Sequence, residues 1–211
     1  MTDDSALVRA QHYLDLRRPE QAEQVLRAHL AQEPNDADAL VLLAFTLSGL
    51  EQEMEAIEVA RRAVREAPGD PQPYLILAGS HASLGQTRQA IEAGREAVRL
   101  APGQSSAHYA LALALSTTKP ATALASVEAG LQISPTNPSL WNLKAVCLSN
   151  AGRTDEARAA LDEALRLDPN NSLFIGNGAM VDLAPHRLAR AAGGLSSALR
   201  ANPFSKDGRR G

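Results

Sequence analysis

Six prolines punctuate the chain at nearly constant intervals: Pro34, Pro68, Pro102, Pro135, Pro169 and Pro203, separated by 34, 34, 33, 34 and 34 residues. Each follows an aliphatic-rich amphipathic run. A period sustained through six units restricts the chain to an array of like elements, because one such unit cannot bury its apolar face alone and must stack on its neighbours. The remaining prolines, Pro19, Pro71, Pro73, Pro120, Pro138 and Pro185, fall just before or just inside expected helix starts. Proline is tolerated there, whereas in a helix interior it costs about 3 kcal/mol.

Two alanine series run in the same phase. Ala22, Ala56, Ala90, Ala123, Ala157 and Ala191 form one, and Ala10, Ala44, Ala78, Ala112, Ala145 and Ala179 the other. Small side chains at fixed places are what two helices require where they cross closely. The interval between the series is 12 residues in every unit except the fourth, where Ala112 and Ala123 are 11 apart. The missing residue therefore lies in or beside the turn "STTKPAT", and the phase recovers directly after it.

Each unit reads as a pair of amphipathic helices with apolar residues at i, i+3, i+4 and i+7. Asp70-Pro71 and Asn137-Pro138 place a capping side chain before a first-turn proline. Gly85 and Gly152 are expected to end the first helix of their units, with Thr87 and Thr154 as caps of the second. In the second unit Glu51, Glu53, Glu55 and Glu58 precede Arg61, Arg62 and Arg65, the order that complements a helix dipole. Composition agrees: 45% of the 211 residues are hydrophobic but only 3% are aromatic, so the core must be Ala, Leu and Val packed at close range.

The fifth unit, "SLWNLKAVCLSNAGRTDEARAALDEALRLDP", resembles a tetratricopeptide repeat of the bacterial type. Trp141, Ala145, Gly152, Ala157, Ala164 and Pro169 stand at the family's large, small, glycine, alanine and proline positions, with Leu161 at the bulky place in the second helix. Departures exist: Arg9 and Lys144 occupy a usually aliphatic position, and His29 replaces the third small residue of the first unit. The sixth unit, with Gly176, Gly178, Gly193 and Gly194 inside its helices, is expected to be the least stable, since each interior glycine costs roughly 1 kcal/mol relative to alanine. The resemblance implies an all-α fold: an α-solenoid of stacked antiparallel helix pairs, a right-handed superhelix of about twelve helices. The units fall at residues 3–36, 37–70, 71–103, 104–137, 138–171 and 172–204, leaving 205–211 as the start of a further helix or a tail.

The resemblance also implies that the first helix of each unit lines a concave groove. Its usual groove positions fall on Leu7, Gln11, Leu14, Val41, Phe45, Ser48, Leu75, Gly79, Ala82, Tyr109, Leu113, Ser116, Asn142, Val146, Ser149, Gly176, Met180 and Leu183. None is charged, although 21% of the chain is. Two readings follow: an apolar trough for an amphipathic helix or extended apolar peptide, or positions partly packed against neighbouring helices. The clamp that some members use on C-terminal carboxylates needs Lys, Asn and Arg where this chain has Val41, Leu75, Phe45 and Gly79, so that mode is not expected.

Nothing in the chain forms a catalytic or metal-binding motif, and no cofactor is expected. The histidines His12, His29, His81, His108 and His186 include no i, i+4 pair, no H-E-x-x-H and no adjacent glycine-rich phosphate loop. His108 stands where the fifth unit has Trp141 and reads as packed. Cys147, the sole cysteine, sits on an apolar face and reads as an inert buried thiol. Asp155-Glu156 read as first-turn helix charges. "NNS" at Asn170 matches a glycosylation sequon in form only. A net charge of −3 gives no electrostatic basis for binding nucleic acid.

The N-terminal "MTDDSALVRAQ" lacks the basic-then-apolar pattern of a secretory signal. The longest uncharged apolar run, "ALVLLAFTLSGL", falls short of the ~20 residues that span a bilayer. The chain thus reads as cytoplasmic, or as the cytoplasmic part of a membrane-attached protein if it continues. Charge is uneven: Arg187, Arg190, Arg200, Lys206, Arg209 and Arg210 against Asp182 and Asp207 give residues 171–211 a net +4, leaving −7 for the rest. Leu188, Leu195 and Leu199 mark an apolar terminal face after which Ser205 is placed to cap a further helix, so self-association or continuation is expected at that end. The expectation is a non-catalytic scaffold that holds another protein or peptide in its groove. The alternative is the soluble arm of a larger membrane-attached or enzymatic protein.

Overall fold

The computed structural model describes residues 5–181 of the chain. These form eleven helices and no strand. Paired by unit, they are α1 (Ala6–Asp15) with α2 (Pro19–Leu30), α3 (Ala37–Gly49) with α4 (Glu53–Glu66), and α5 (Gln72–Ser83) with α6 (Thr87–Leu100). Next come α7 (Ser105–Leu115) with α8 (Pro120–Ile133), then α9 (Pro138–Asn150) with α10 (Thr154–Leu167). A helix over 172–181, α11, opens the sixth unit. The second helix of that unit, with Ala191, Pro185 and the leucines at 188, 195 and 199, lies outside the described residues, as do 205–211.

The local signals explain most boundaries. Pro19, Pro120 and Pro138 are first helical residues, where no N–H partner is lost. Asn137 caps α9 by accepting from the N–H groups of Ser139 and Leu140 at 3.0 and 3.3 Å. Asp70 accepts from Gln72 N–H at 2.9 Å ahead of α5. Gly85 and Gly152 end their helices in the left-handed region, at φ of +69° and +75°. Thr87 and Thr154 do not cap: each is already the first helical residue, after Gln86 and Arg153, and makes no side-chain cap bond.

The short unit has a structural origin in the same turn. Arg17 and Glu51 stand at φ of 55° and 61°, in step with Gly85 and Gly152, so four turns use one left-handed residue. In the fourth unit α7 ends at Leu115 on a right-handed Ser116, and no residue of the 116–119 turn has positive φ. The deletion has removed the left-handed position, and the chain crosses to Pro120 by a different turn.

Packing follows from the alanines. Ala22, Ala56, Ala90, Ala123 and Ala157 are all fully buried, and so, within 1% exposure, are Ala10, Ala44, Ala78, Ala112 and Ala145. Ala179 departs from its series: it is exposed, and the neighbouring Gly178 is buried instead. From α1 to α10 every helix packs on the next along the chain. In addition α1 touches α3, α3 touches α5, α5 touches α7 and α7 touches α9, whereas among the described residues no second helix packs on another. First helices crowded together and second helices splayed apart make a curved right-handed solenoid with the first helices inside. Ties cross the splayed outer side, as where Arg27 of α2 meets Glu55 of α4 at 2.7 Å.

The buried apolar residues form two clusters, one in the first three units and one in the last three. Between them α6 meets α7 through small residues. A Cβ built on Gly94 would stand 2.8 Å from the Cα of Leu111, so the two helices approach backbone to side-chainless backbone.

Candidate functional site

The concave face is not one uniform trough. A hollow of about 740 Å³ lies across α1, α3 and α5. Leu7, Gln11, Val41, Phe45, Ser48, Leu75 and Gly79 line it, seven of the residues expected from the sequence. Phe45 is 59% exposed, which for a phenylalanine in a solenoid with a well-buried core leaves its ring facing the hollow without cover. Gly79 faces open space there: a Cβ built on it would meet nothing within 4 Å.

Other positions depart from the expectation. Leu14 packs against the N-terminal core cluster and Tyr109 against the C-terminal one. Burial raises the Tyr109 phenol above its ordinary pKa. Asn142 and Ser116 are only 7% and 5% exposed. Ser116 turns its hydroxyl onto the carbonyl of Leu113, and Asn142 accepts from the Asn177 amide at 2.8 Å. Four expected groove residues are thus taken up by packing, which is the second of the two readings, confined to particular positions.

Two of the rest, Ala82 and Leu113, border a hollow of about 430 Å³ at the junction of the third and fourth units, which Ser48 and Gly79 share with the main one and the packed Ser116 also edges. Val146, Ser149 and Met180 border one of about 210 Å³ between α9 and α11. Gly176 is exposed, and Leu183 lies outside the described residues.

The expected absence of charge fails in the main hollow. Asp38, in the first turn of α3, and Asp70, ahead of α5, both line it. The carry-over of groove positions skipped them because they stand at helix starts, outside the three places per helix on which it relied. Their acid-at-a-helix-start pattern was the available signal, and it read equally well as capping.

The chemistry-bearing residues elsewhere are structural. His108 donates from Nε2 to the carbonyl of Pro102 at 2.8 Å, as Trp141 donates from Nε1 to Pro135 at 2.7 Å, so histidine does the indole's work in the preceding unit. His81 is buried, with Nδ1 on the Gln86 side-chain oxygen at 2.6 Å, and His12 is exposed. Lys144 holds its ammonium 5.3 Å from the centre of the Trp141 ring and 3.9 Å from Glu128, which accounts for a lysine at an aliphatic position. Cys147 is fully buried, and burial pushes its thiol up to about 11, so it is un-ionised at neutral pH.

Among the described residues one group has metal-type donors: ligand atoms of His29, Glu33 and Asp36 lie within 4.8 Å of one another. Its tightest contact is already used. His29 Nε2 donates to Asp36 Oδ2 at 2.6 Å while Asp36 Oδ1 accepts from Ala39 N–H at 3.1 Å, tying the end of α2 to the start of α3. Burial alone would raise the Asp36 carboxyl, but these bonds outweigh it and hold the group below the ordinary carboxylate range.

Fold and hollow together define an α-solenoid with an open concave face. Tetratricopeptide repeat models match residues 13–80 and 114–175, and a second such model matches 77–138. The chain belongs to the tetratricopeptide repeat family, whose fold is in general a protein–protein interaction scaffold and typically non-catalytic. Among curated proteins nothing matches the chain. Several solved structures share its fold. TTC0263 of Thermus thermophilus, a thermophilic TPR protein, is 23% identical with a TM-score of 0.74, over 85% of this chain and 98% of that one. PilF of Pseudomonas aeruginosa is 24% identical with a TM-score of 0.70, over 96% and 92%. YrrB, described as a TPR protein with an unusual peptide-binding site, is 18% identical with a TM-score of 0.60, over 81% and 89%. Among the described residues no helix is long and apolar enough to cross a membrane.

Proposed function

We propose that this chain is a non-catalytic scaffold that holds a segment of another protein in the N-terminal half of its concave face. The observation that carries this reading is the hollow of about 740 Å³ lined by Phe45, a residue 59% exposed. An uncovered aromatic side chain in a concavity walled by Leu7, Val41 and Leu75 is an anchor without its counterpart. The wall consists of three parallel first helices, so a partner helix or extended strand can lie across them and meet one side chain from each. YrrB, which shares the fold, is described as having an unusual peptide-binding site. No group in the hollow has the nucleophile–base–orienter arrangement of a catalytic site.

The test is capture of a partner by the wild-type chain against two single variants, Phe45→Asp and Leu75→Asp, with helical circular dichroism recorded for each. Partners that bind the wild type and are lost from both variants support the reading. Capture that survives both substitutions in folded protein overturns it.

A further inference from the structure

The N-terminal hollow has a sign as well as a shape. Its lining includes two carboxylates, Asp38 and Asp70, and no cation. Asp36, which holds the place of Asp70 one unit earlier, is by contrast matched within the fold by His29. Asp38 is exposed, and its side chain makes no hydrogen bond or ion pair among the described residues. Asp70 spends one oxygen on Gln72 N–H at 2.9 Å and has no cationic partner among the described residues.

We propose that the occupant of this hollow is a cationic amphipathic peptide segment. Its apolar side chains rest on Leu7, Val41, Phe45 and Leu75, and a lysine or arginine beside them meets Asp38 and Asp70. The proposal rests on the groove reading above and adds the partner's charge. The physical ground is the contrast between apolar wall and unmatched acid. A peptide seated on Phe45 excludes water, and a charge brought beside Asp38 then feels a field less screened than in open solvent. An acidic residue at that place is repelled for the same reason, so the hollow selects sign. A phosphate backbone is disfavoured equally, which sets nucleic acid aside. Both acids stand at the positive end of a helix, but only Asp70 is bonded to a backbone N–H, so Asp38 carries more of the preference.

The probes are three fluorescein-labelled, end-blocked peptides with one shared leucine pattern, differing at a single position as lysine, glutamine or glutamate. Fluorescence anisotropy with the full chain at low salt is expected to give the lysine peptide about five- to tenfold tighter binding than the glutamine one, with glutamate weakest. The preference should shrink with salt. Asp38→Asn with Asp70→Asn should remove it, so that the lysine and glutamine peptides bind that variant equally; Asn keeps the turn ahead of α5. Asp38→Asn alone should remove more of it than Asp70→Asn alone.

Equal affinity for all three peptides, lost in Phe45→Ser, would overturn the charge proposal and leave the apolar groove standing. Absence of binding by any peptide, or binding unmoved by Phe45→Ser, would remove both. Self-association of the wild type in sedimentation, abolished by Phe45→Asp, would make a second copy the occupant and also overturn the proposal.

Discussion

The first three units and the last three share one backbone plan and differ in what their inner helices present. In the N-terminal half α1, α3 and α5 leave a hollow of about 740 Å³ with Phe45 uncovered. In the C-terminal half the inner helices are joined by hydrogen bonds from side-chain amides: Asn150 donates to the Ser116 carbonyl at 3.0 Å and Asn177 to Asn142 at 2.8 Å. What remains open between α9 and α11 is about 210 Å³. A repeat therefore supplies a scaffold and leaves the binding face to a few inward positions. Polar side chains long enough to reach the next unit knit the face shut, and short or apolar ones leave it available.

The comparison breaks most readily at its two aromatic residues. Tyr109→Ala, in the packed half, should cost about 2–3 kcal/mol, somewhat below the range for a fully buried aromatic, while Phe45→Ala should stay within about 0.5 kcal/mol. Urea unfolding of the two variants checks this, and equal losses would mean that Phe45 is packed after all. The seam between the halves is tested by Gly94→Ala. Alanine is the better helix former, yet its Cβ meets the Leu111 backbone at 2.8 Å, so a net destabilisation of about 1–2 kcal/mol is expected. A stabilised variant would show that the halves separate at little cost.

The turns give a smaller effect of opposite sign. Arg17 and Glu51 hold positive φ without being glycine, both in the N-terminal half. Arg17→Gly and Glu51→Gly should each stabilise by about 0.5–1 kcal/mol, the left-handed strain removed less the added chain entropy. Gly152→Ala, the C-terminal counterpart, should destabilise by about 1 kcal/mol. Thermal melts of the three variants decide the matter.

The smallest effect concerns the tie between the first two units. The folded Asp36 carboxyl lies below its unfolded value, so its contribution is present above the unfolded pKa of about 4 and is lost as pH falls through the folded one. Stability measured from neutral pH down into the acid range should fall less steeply in Asp36→Asn than in the wild type. Identical slopes would mean that the His29 contact contributes nothing.

Much of this was legible in the sequence. The proline period located the helix pairs, the two alanine series named buried crossings, and Gly85 and Gly152 announced left-handed turns. The places where reading failed share a cause. Thr87 and Thr154 looked like caps because a threonine follows each glycine, but the helix starts one residue earlier than that placement allows. Ala179 is exposed, and the helix expected to cross it lies outside the described residues. Arg17 and Glu51 gave no sign of positive φ, since neither favours it; only the turn they close imposes it.

The sequence by itself determined the unit length, the helix pairs, the small-residue crossings and the family, because these follow from periodic local chemistry that each unit repeats. Tertiary structure alone decided which stretch of the inner face is open and what charge it carries. Asp36 and Asp70 hold the same place in successive units, yet one is tied to His29 and the other lines the hollow. That difference comes from which side chains neighbouring units bring within reach, and a one-dimensional pattern holds no record of such meetings.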